Sequence, residues 1–412
     1  MTKGDHHVNR RHCLFGLTAG AAAAGPLPLF AQNLDPAAGA AGANAEEVFT
    51  AFAGEAPSDY AALVKQTYDG DLLVRFRLES VNLEVFLFRL SDEATLRSFI
   101  DAELARPNVV QVGANQLFET QTEETFSLRA QSLQYALNLT HIDRIADSNG
   151  GAGVRIAVID SAVDRSHPAL DGNIIASFDI IGVRPDVRPM RRLEAMRHGT
   201  AVAGVIAATG KLKGVAPNAE LIAIEAFTPP GEKKRSNTSS SATIAHSIDA
   251  AIKLDCDIIN MSFGGPQDSL IELMIEEALS RNIFVVAASG NKSANRKAPF
   301  PASHKDVLAV TAVDRNGDIS GDAIIGAHTR IAAPGVDILT TAPKGGFQVV
   351  SGTSLSAPHV AGLAALAKSR TASLTPRDLK ALLYETGDPV RQAPAGMPIR
   401  VINGARLMNR IA

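Results

Sequence analysis

Cysteine is nearly absent: the 412-residue chain holds two, Cys13 and Cys256. Cys13 lies in an N-terminal stretch that reads as a removable export signal, so the mature chain would keep one cysteine and no internal disulfide. That excludes a disulfide-stapled scaffold, and the core must hold by packing alone. Cys256 stands at the entry to an apolar strand in "IKLDCDIINMSFGG" and reads as a small buried hydrophobe rather than a nucleophile. Long hydrophobic runs are missing too. A membrane-spanning helix needs ~20 continuous apolar residues, and the one candidate is interrupted at Gly25, Pro26 and Pro28. No stable membrane anchor is therefore expected. Charge of one sign is lacking as well, with 40 basic residues against 43 acidic and a net charge of -3. Without a basic stripe to follow a phosphate backbone, nucleic acid is set aside as a partner. Nor does any glycine-rich loop follow a strand and open a helix. The "GGAG" at 150–153 precedes its strand, so it cannot cradle a dinucleotide.

What is present supports a sizeable globular core, with 46% hydrophobic and 20% charged residues. Residues 1–31 have the layout of a secretory signal: a basic start, a short apolar stretch and a small residue at Ala31, after which cleavage is expected. The pair Arg10 and Arg11 also fits a twin-arginine signal. Either route predicts a secreted or periplasmic product. Residues 32–70, rich in Ala, Gly and Asp over their first part, predict a linker. Residues 71–120 alternate "LLVRFRL", "EVFLFRL", a helical "DEATLRSFIDAELA" and "NVVQVGANQLFE", a small α+β unit. The polar, aperiodic stretch at 121–140 predicts a joint.

From residue 141 to 412 apolar strands such as "GVRIAVID", "CDIINMSF" and "IFVVAAS" alternate with helical segments. Strands that read as continuous apolar runs are buried on both faces, and intervening helices make right-handed crossovers. The predicted fold class is α/β: a three-layer, mostly parallel sheet with helices on both faces, preceded by the small α+β domain. Ligands of such sheets bind beyond the carboxyl ends of the strands.

Four residues stand at that edge. Asp160 closes "VRIAVID", a position shared with nucleotide-binding folds. His198 opens an apolar helix in "RHGTAVAG", where it serves equally as a packing residue or as a neutral general base. Asn291 follows the strand of "VVAASGN" as a turn residue or as an amide donor to developing negative charge. Ser354 sits at the mouth of the helix in "SGTSLSAPHVAG", where unpaired N–H groups and the helix dipole favour an anion. A serine cap would account for Ser354 alone, but not for the set.

In that order, "VIDSAVDRSHPAL", "HGTAVAG", "INMSFGG", "AASGN" and "GTSLSAPHVAG" resemble the subtilisin-like serine proteases, the subtilases. The resemblance runs from about His141 to the C-terminus. The order aspartate, histidine, serine is that of the subtilisin triad. It implies that Ser354 attacks a peptide carbonyl, His198 carries its proton, Asp160 orients the histidine and Asn291 stabilises the oxyanion. It implies further that Ser262, Gly264 and Gly265 pair with an extended substrate, and that Ala288 and Ser289 line the specificity pocket. Residues 71–120 resemble the family's propeptide, which implies a zymogen inhibited by its own propeptide and cut between Thr120 and Tyr135. The implied function is a secreted serine endopeptidase acting on protein or peptide substrates. The alternative is a catalytically silent homologue that only binds peptides.

This chain departs from the family's pattern at Ser161 and Ala162 after the aspartate, and at Ala201 after "HGT". A basic run, Arg184, Arg188, Arg191, Arg192 and Arg197, precedes His198 and could border the cleft. No cofactor and no metal are expected. The family's calcium position carries Ala169, without a side-chain oxygen, and the partner loop is shortened before "GVAP".

Overall fold

The structure is a computed structural model that describes residues 43–91, 93–120, 134–145, 149–181, 196–228, 237–291, 299–393 and 396–411. The signal reading, the cleavage after Ala31 and the arginines at 184–192 fall outside the described residues.

Order begins well before residue 71. The expected linker contains β1 (Ala43–Ala53) and α1 (Tyr60–Tyr68), which belong to the same unit as β2 (Asp71–Leu78), β3 (Leu83–Arg89), α2 (Glu93–Leu104) and β4 (Val109–Thr120). Strand β1 is central, antiparallel to both β3 and β4. Val48, Phe49, Ala51 and Phe52 are all buried. A strand covered on both faces shows no polar–apolar alternation, so its pattern merged with the Ala- and Gly-rich stretch before it. In α1, Tyr60 packs edge-on to Phe52, Phe86 and Phe88. Its hydroxyl donates to Glu103 at 2.9 Å, tying α1 to α2.

The expected joint is shorter than 121–140. Residues 121–133 lie outside the described set, but α3 (Tyr135–Leu139) belongs to the larger domain. Tyr135 and Ala136 pack with Ala201, Val205 and Leu355. The polar stretch upstream hid this short, largely apolar helix.

The remaining elements are β5 (Arg155–Asp160), β6 (Ile174–Asp179), α4 (Arg197–Ala207), β7 (Glu220–Glu225), β8 (Thr238–Ser240), α5 (Ser241–Lys253), β9 (Ile258–Met261), β10 (Phe263–Gly264) and α6 (Ser269–Ser280). They continue with β11 (Phe284–Ala288), β12 (Leu308–Val313), β13 (Ile331–Pro334), the hairpin β14 (Ile338–Ala342) and β15 (Gly346–Val350), α7 (Thr353–Arg370) and α8 (Pro376–Thr386). The chain closes with β16 (Asp388–Pro389), β17 (Arg400–Val401) and α9 (Gly404–Arg410).

Nine strands form one sheet in the order β16-β17-β13-β12-β11-β9-β5-β7-β6. All neighbours are parallel except β16 and β17. Side chains alternate between the two faces, as the pleat requires. Ala157, Ile159, Val285 and Ala287 join the core under α5 and α6, whereas Ile156, Val158, Val286 and Ala288 join the core under α4 and α7. From β5 the sheet grows toward β7 and β6 on one side and, after a crossover, toward β9 and β11 on the other. This reversal opens a crevice at the carboxyl ends of β5 and β9.

The N-terminal unit docks on α5 and α6, and its core is continuous with theirs. The Asp249 carboxylate of α5 accepts the N–H groups of Ser80 at 2.9 Å and Glu79 at 3.3 Å. Lys253 pairs with Glu79 at 2.9 Å, Arg281 donates to Ser80 O at 3.0 Å, and Phe76 stacks on His246.

Cys256 is buried in the same core, and burial pushes its thiol up to about 12. Because the thiolate is the reactive form, iodoacetamide at neutral pH should leave the native protein unlabelled and modify Cys256 only after denaturation. Rapid stoichiometric labelling of Cys256 under native conditions, read by mass spectrometry, would contradict this placement.

Candidate active site

Strand β5 delivers Asp160 to the crevice fully buried. Its Oδ1 accepts the N–H of Ser161 at 2.7 Å and lies 2.6 Å from His198 Nδ1. A carboxylate only accepts, so Nδ1 carries the proton and Nε2 is the basic nitrogen. The contact depends on how closely α4 approaches the end of β5. Gly199 makes that approach possible, since a Cβ there would lie 2.3 Å from Ser161 O. Ser161 also holds the helix, its Oγ accepting Gly199 N–H at 3.0 Å. The departure at Ser161 thus has a structural role beside Asp160 and His198. On the far side, Thr341 and Thr340 of β14 donate to Thr200 O and Ala201 O, both at 2.6 Å.

Ser354 lies in the first turn of α7, buried, after Gly352 at φ 154°, ψ 156°, a region that only glycine occupies comfortably. Pro358 stands four residues on and has no N–H to give to Ser354 O, the bond an ordinary helix would make. Ser262 supplies the donor instead: its Oγ bonds Ser354 O at 2.9 Å and accepts from Asn260 Nδ2 at 3.0 Å. The Ser262 side chain therefore fixes the turn that carries Ser354. Asn291 is tied to the same turn, its Oδ1 accepting Thr353 N–H at 3.0 Å, which orients its amide nitrogen away from Thr353. Thr353 Oγ1 accepts Gly290 N–H at 3.2 Å. Asp160 closes β5 and Asn291 follows β11 on the same side of the parallel sheet, and their bonds to His198 and to Thr353 bring His198 and Ser354 to that edge.

Beside them runs a groove between β8 and β10, and β4 fills it. Leu117, Phe118 and Glu119 pair antiparallel with β8, while Glu119 and Thr120 pair with Gly264 and Phe263. Phe118 is fully buried, edge-on to Phe263, and its ring occupies the space where a Cβ on Gly265 would sit, 2.5 Å away. Gly264 thus pairs with an extended segment of this chain, whereas Gly265 pairs with Phe300 through two backbone bonds. Ala288 and Ser289 are buried at the end of β11, with the Ser289 hydroxyl donating to Ile324 O at 2.8 Å. Sequence reasoning missed Ser161, Asn260, Thr353, Asp249 and Phe118. For Ser161 and Thr353 the signal was adjacency to Asp160 and Ser354. Asp249 and Phe118 owe their roles to contacts between distant segments, and Asn260 acts through Ser262, whose own partner is Ser354.

The sequence profile described as the subtilase family matches residues 151–398. The chain belongs to the subtilase family. Subtilisin NAT of Bacillus subtilis subsp. natto is 34% identical over 265 residues, covering 62% of this chain and 66% of the relative. The thermophilic serine proteinase of Bacillus sp. strain AK1 is 36% identical over 247 residues, 58% of each chain. The chain thus spans 58% to 66% of the lengths of these two relatives. Fervidolysin from Fervidobacterium pennivorans, a keratinolytic enzyme related to subtilisin, superposes with a TM-score of 0.68 at 19% identity, covering 88% of this chain and 61% of that one. The subtilase fold accounts for the parallel sheet and for the segments flanking its carboxyl edge.

Two substitutions probe how this subtilase holds its site. Gly199→Ala forces α4 away from Ser161 O. A displacement of ~1 Å costs on the order of 10²-fold in rate, so kcat on a peptide substrate should fall by about that factor with circular dichroism unchanged. Unchanged kcat would show that the close approach is dispensable. Ser262→Ala leaves a buried carbonyl without its donor, a loss of about 1–3 kcal/mol. Denaturant unfolding should show that decrease, and equal stability of variant and parent would refute the bond's role.

Proposed function

We propose that this protein is a serine endopeptidase made as a secreted or periplasmic zymogen that processes itself. The contact between His198 Nδ1 and Asp160 Oδ1, at 2.6 Å on the edge that carries Ser354, is the observation that supports it most directly. In this reading His198 Nε2 takes the proton of Ser354 as its Oγ attacks a peptide carbonyl, and returns it to the leaving amine. Asp160 keeps the proton on Nδ1 and stabilises the imidazolium. The Asn291 amide and the backbone N–H of Ser354 receive the oxyanion, helped by the positive end of the α7 dipole.

Substrate binds by adding a strand between β8 and β10, reading main chain more than side chain. The N-terminal unit, extended to include β1 and α1, is the propeptide in this reading. Its last described strand, Leu117–Thr120, occupies that groove and acts as an intramolecular inhibitor. The cut falls between Thr120 and Tyr135. A silent peptide-binding homologue would use the same groove, but a fluorophosphonate, which reacts only with an activated serine, separates the two readings.

In a protease-deficient host, Ser354→Ala should accumulate as an uncut precursor that a fluorophosphonate does not label, while the parent matures and is labelled at Ser354. Maturation of the alanine variant at the same site would sink self-processing. An unlabelled, mature parent would sink the endopeptidase reading.

A further inference from the structure

Opposite the catalytic helices, on the face of the sheet covered by α5 and α6, three potential ligands converge. Glu272 and Glu276 stand one turn apart on α6, so their side chains share a face. His304 lies in the turn that leads to β12. A carboxylate oxygen from each glutamate and a ring nitrogen of His304 lie within 4.8 Å of one another. His304 is 6% exposed, and its Nε2 is buried without a hydrogen-bond partner. Nδ1 is engaged by the Asp306 N–H at 3.2 Å, so Nε2 is the nitrogen left for a ligand.

We propose that Glu272, Glu276 and His304 form a binding site for a divalent transition metal, with Zn²⁺ as the ion that fits best. An imidazole with two carboxylates suits zinc, whereas Ca²⁺ takes oxygen ligands alone. Three protein ligands and one water complete a tetrahedral shell. With Nδ1 accepting the Asp306 N–H, the neutral ring carries its proton on Nε2; binding a metal through Nε2 releases that proton to solvent while Nδ1 takes one up and gives up the Asp306 N–H.

Charge agrees with a cation. Burial and the neighbouring Glu272 raise the Glu276 carboxyl above its ordinary range, a strain that a bound ion relieves. Burial lowers the His304 imidazole, which disfavours its charged form. The other charged groups acting on His304 are Asp306, Lys305 and Lys380. Lys380 donates to Lys305 O at 3.1 Å, and Lys305 lies 4.0 Å from Asp306, so both ammonium groups have partners outside the triad.

The bound ion would clamp α6 to the turn before β12 and stabilise the folded chain without touching the catalytic groups. The family's calcium position, at Ala169, lies elsewhere, and the expectation of no metal was built on that position.

Zinc chloride is titrated calorimetrically into the full-length Ser354→Ala protein, which cannot digest itself, and melting temperature is followed in parallel. The expected result is saturable zinc binding with a rise in melting temperature of several degrees at excess ion. In His304→Ala and Glu276→Gln backgrounds the stoichiometry should drop by one site and the rise should vanish. Comparing variants in this way separates the site from His6, His7, His12 and Cys13 near the N-terminus. If His304→Ala fails to fold by circular dichroism, Glu272→Gln on the face of α6 replaces it. Equal stoichiometry and equal stabilisation in variants and parent, or no zinc bound by the parent, overturns the proposal.

Discussion

The architecture depends on how closely two helix N-termini approach the carboxyl edge of the parallel sheet. Asp160 is anchored to β5 and cannot reach outward, so His198 must be brought to it. The 2.6 Å contact exists because Gly199 has no side chain to hold α4 away from Ser161 O. The Ser161 hydroxyl and the two threonines of β14 then grip the helix from opposite sides. Small residues at such a site reflect backbone packing as much as room for a ligand.

Ser354 is placed by a different device. Pro358 removes the N–H that an ordinary helix would give to Ser354 O, and Ser262, just beyond β9, provides the replacement. The Ser354 turn is therefore bonded to one neighbouring strand end through Ser262 and to another through Asn291. Both partners come from β9 and β11, the rigid centre of the sheet, and a site mounted on rigid elements holds its geometry better than one on mobile loops.

The groove between β8 and β10 adds a third layer of dependence. It presents unpaired strand edges, and an open edge is a template for another chain. Strand β4 satisfies it with the main-chain pattern that any extended peptide could offer, while Phe118 fills the apolar space beside Gly265. The N-terminal unit is secured elsewhere by Asp249 and Lys253 of α5.

Much of this was legible in the chain itself, because local pattern reports local constraint. Continuous apolar runs between helical segments marked a parallel sheet, and residues closing strands or opening helices marked its functional edge. Pattern put Asp160, His198, Asn291 and Ser354 at that edge, each with a packing or turn reading of its own, and only the resemblance of their motifs to the subtilases singled them out as a set. The strand β1 and helix α1 were not legible, since a central strand buried on both faces has no alternation and its Ala-rich lead resembles a linker. Nor could the role of Ser262 be read, because it answers a vacancy created by Pro358 almost a hundred residues later. The meeting of Glu272, Glu276 and His304 is of the same kind: helix periodicity places the two glutamates on one face, but only chain packing brings a histidine to them. Sequence determined the elements and their chemistry through short-range periodicity. Tertiary structure decided which distant groups share a hydrogen bond, because that depends on how closely the folded backbone lets them approach.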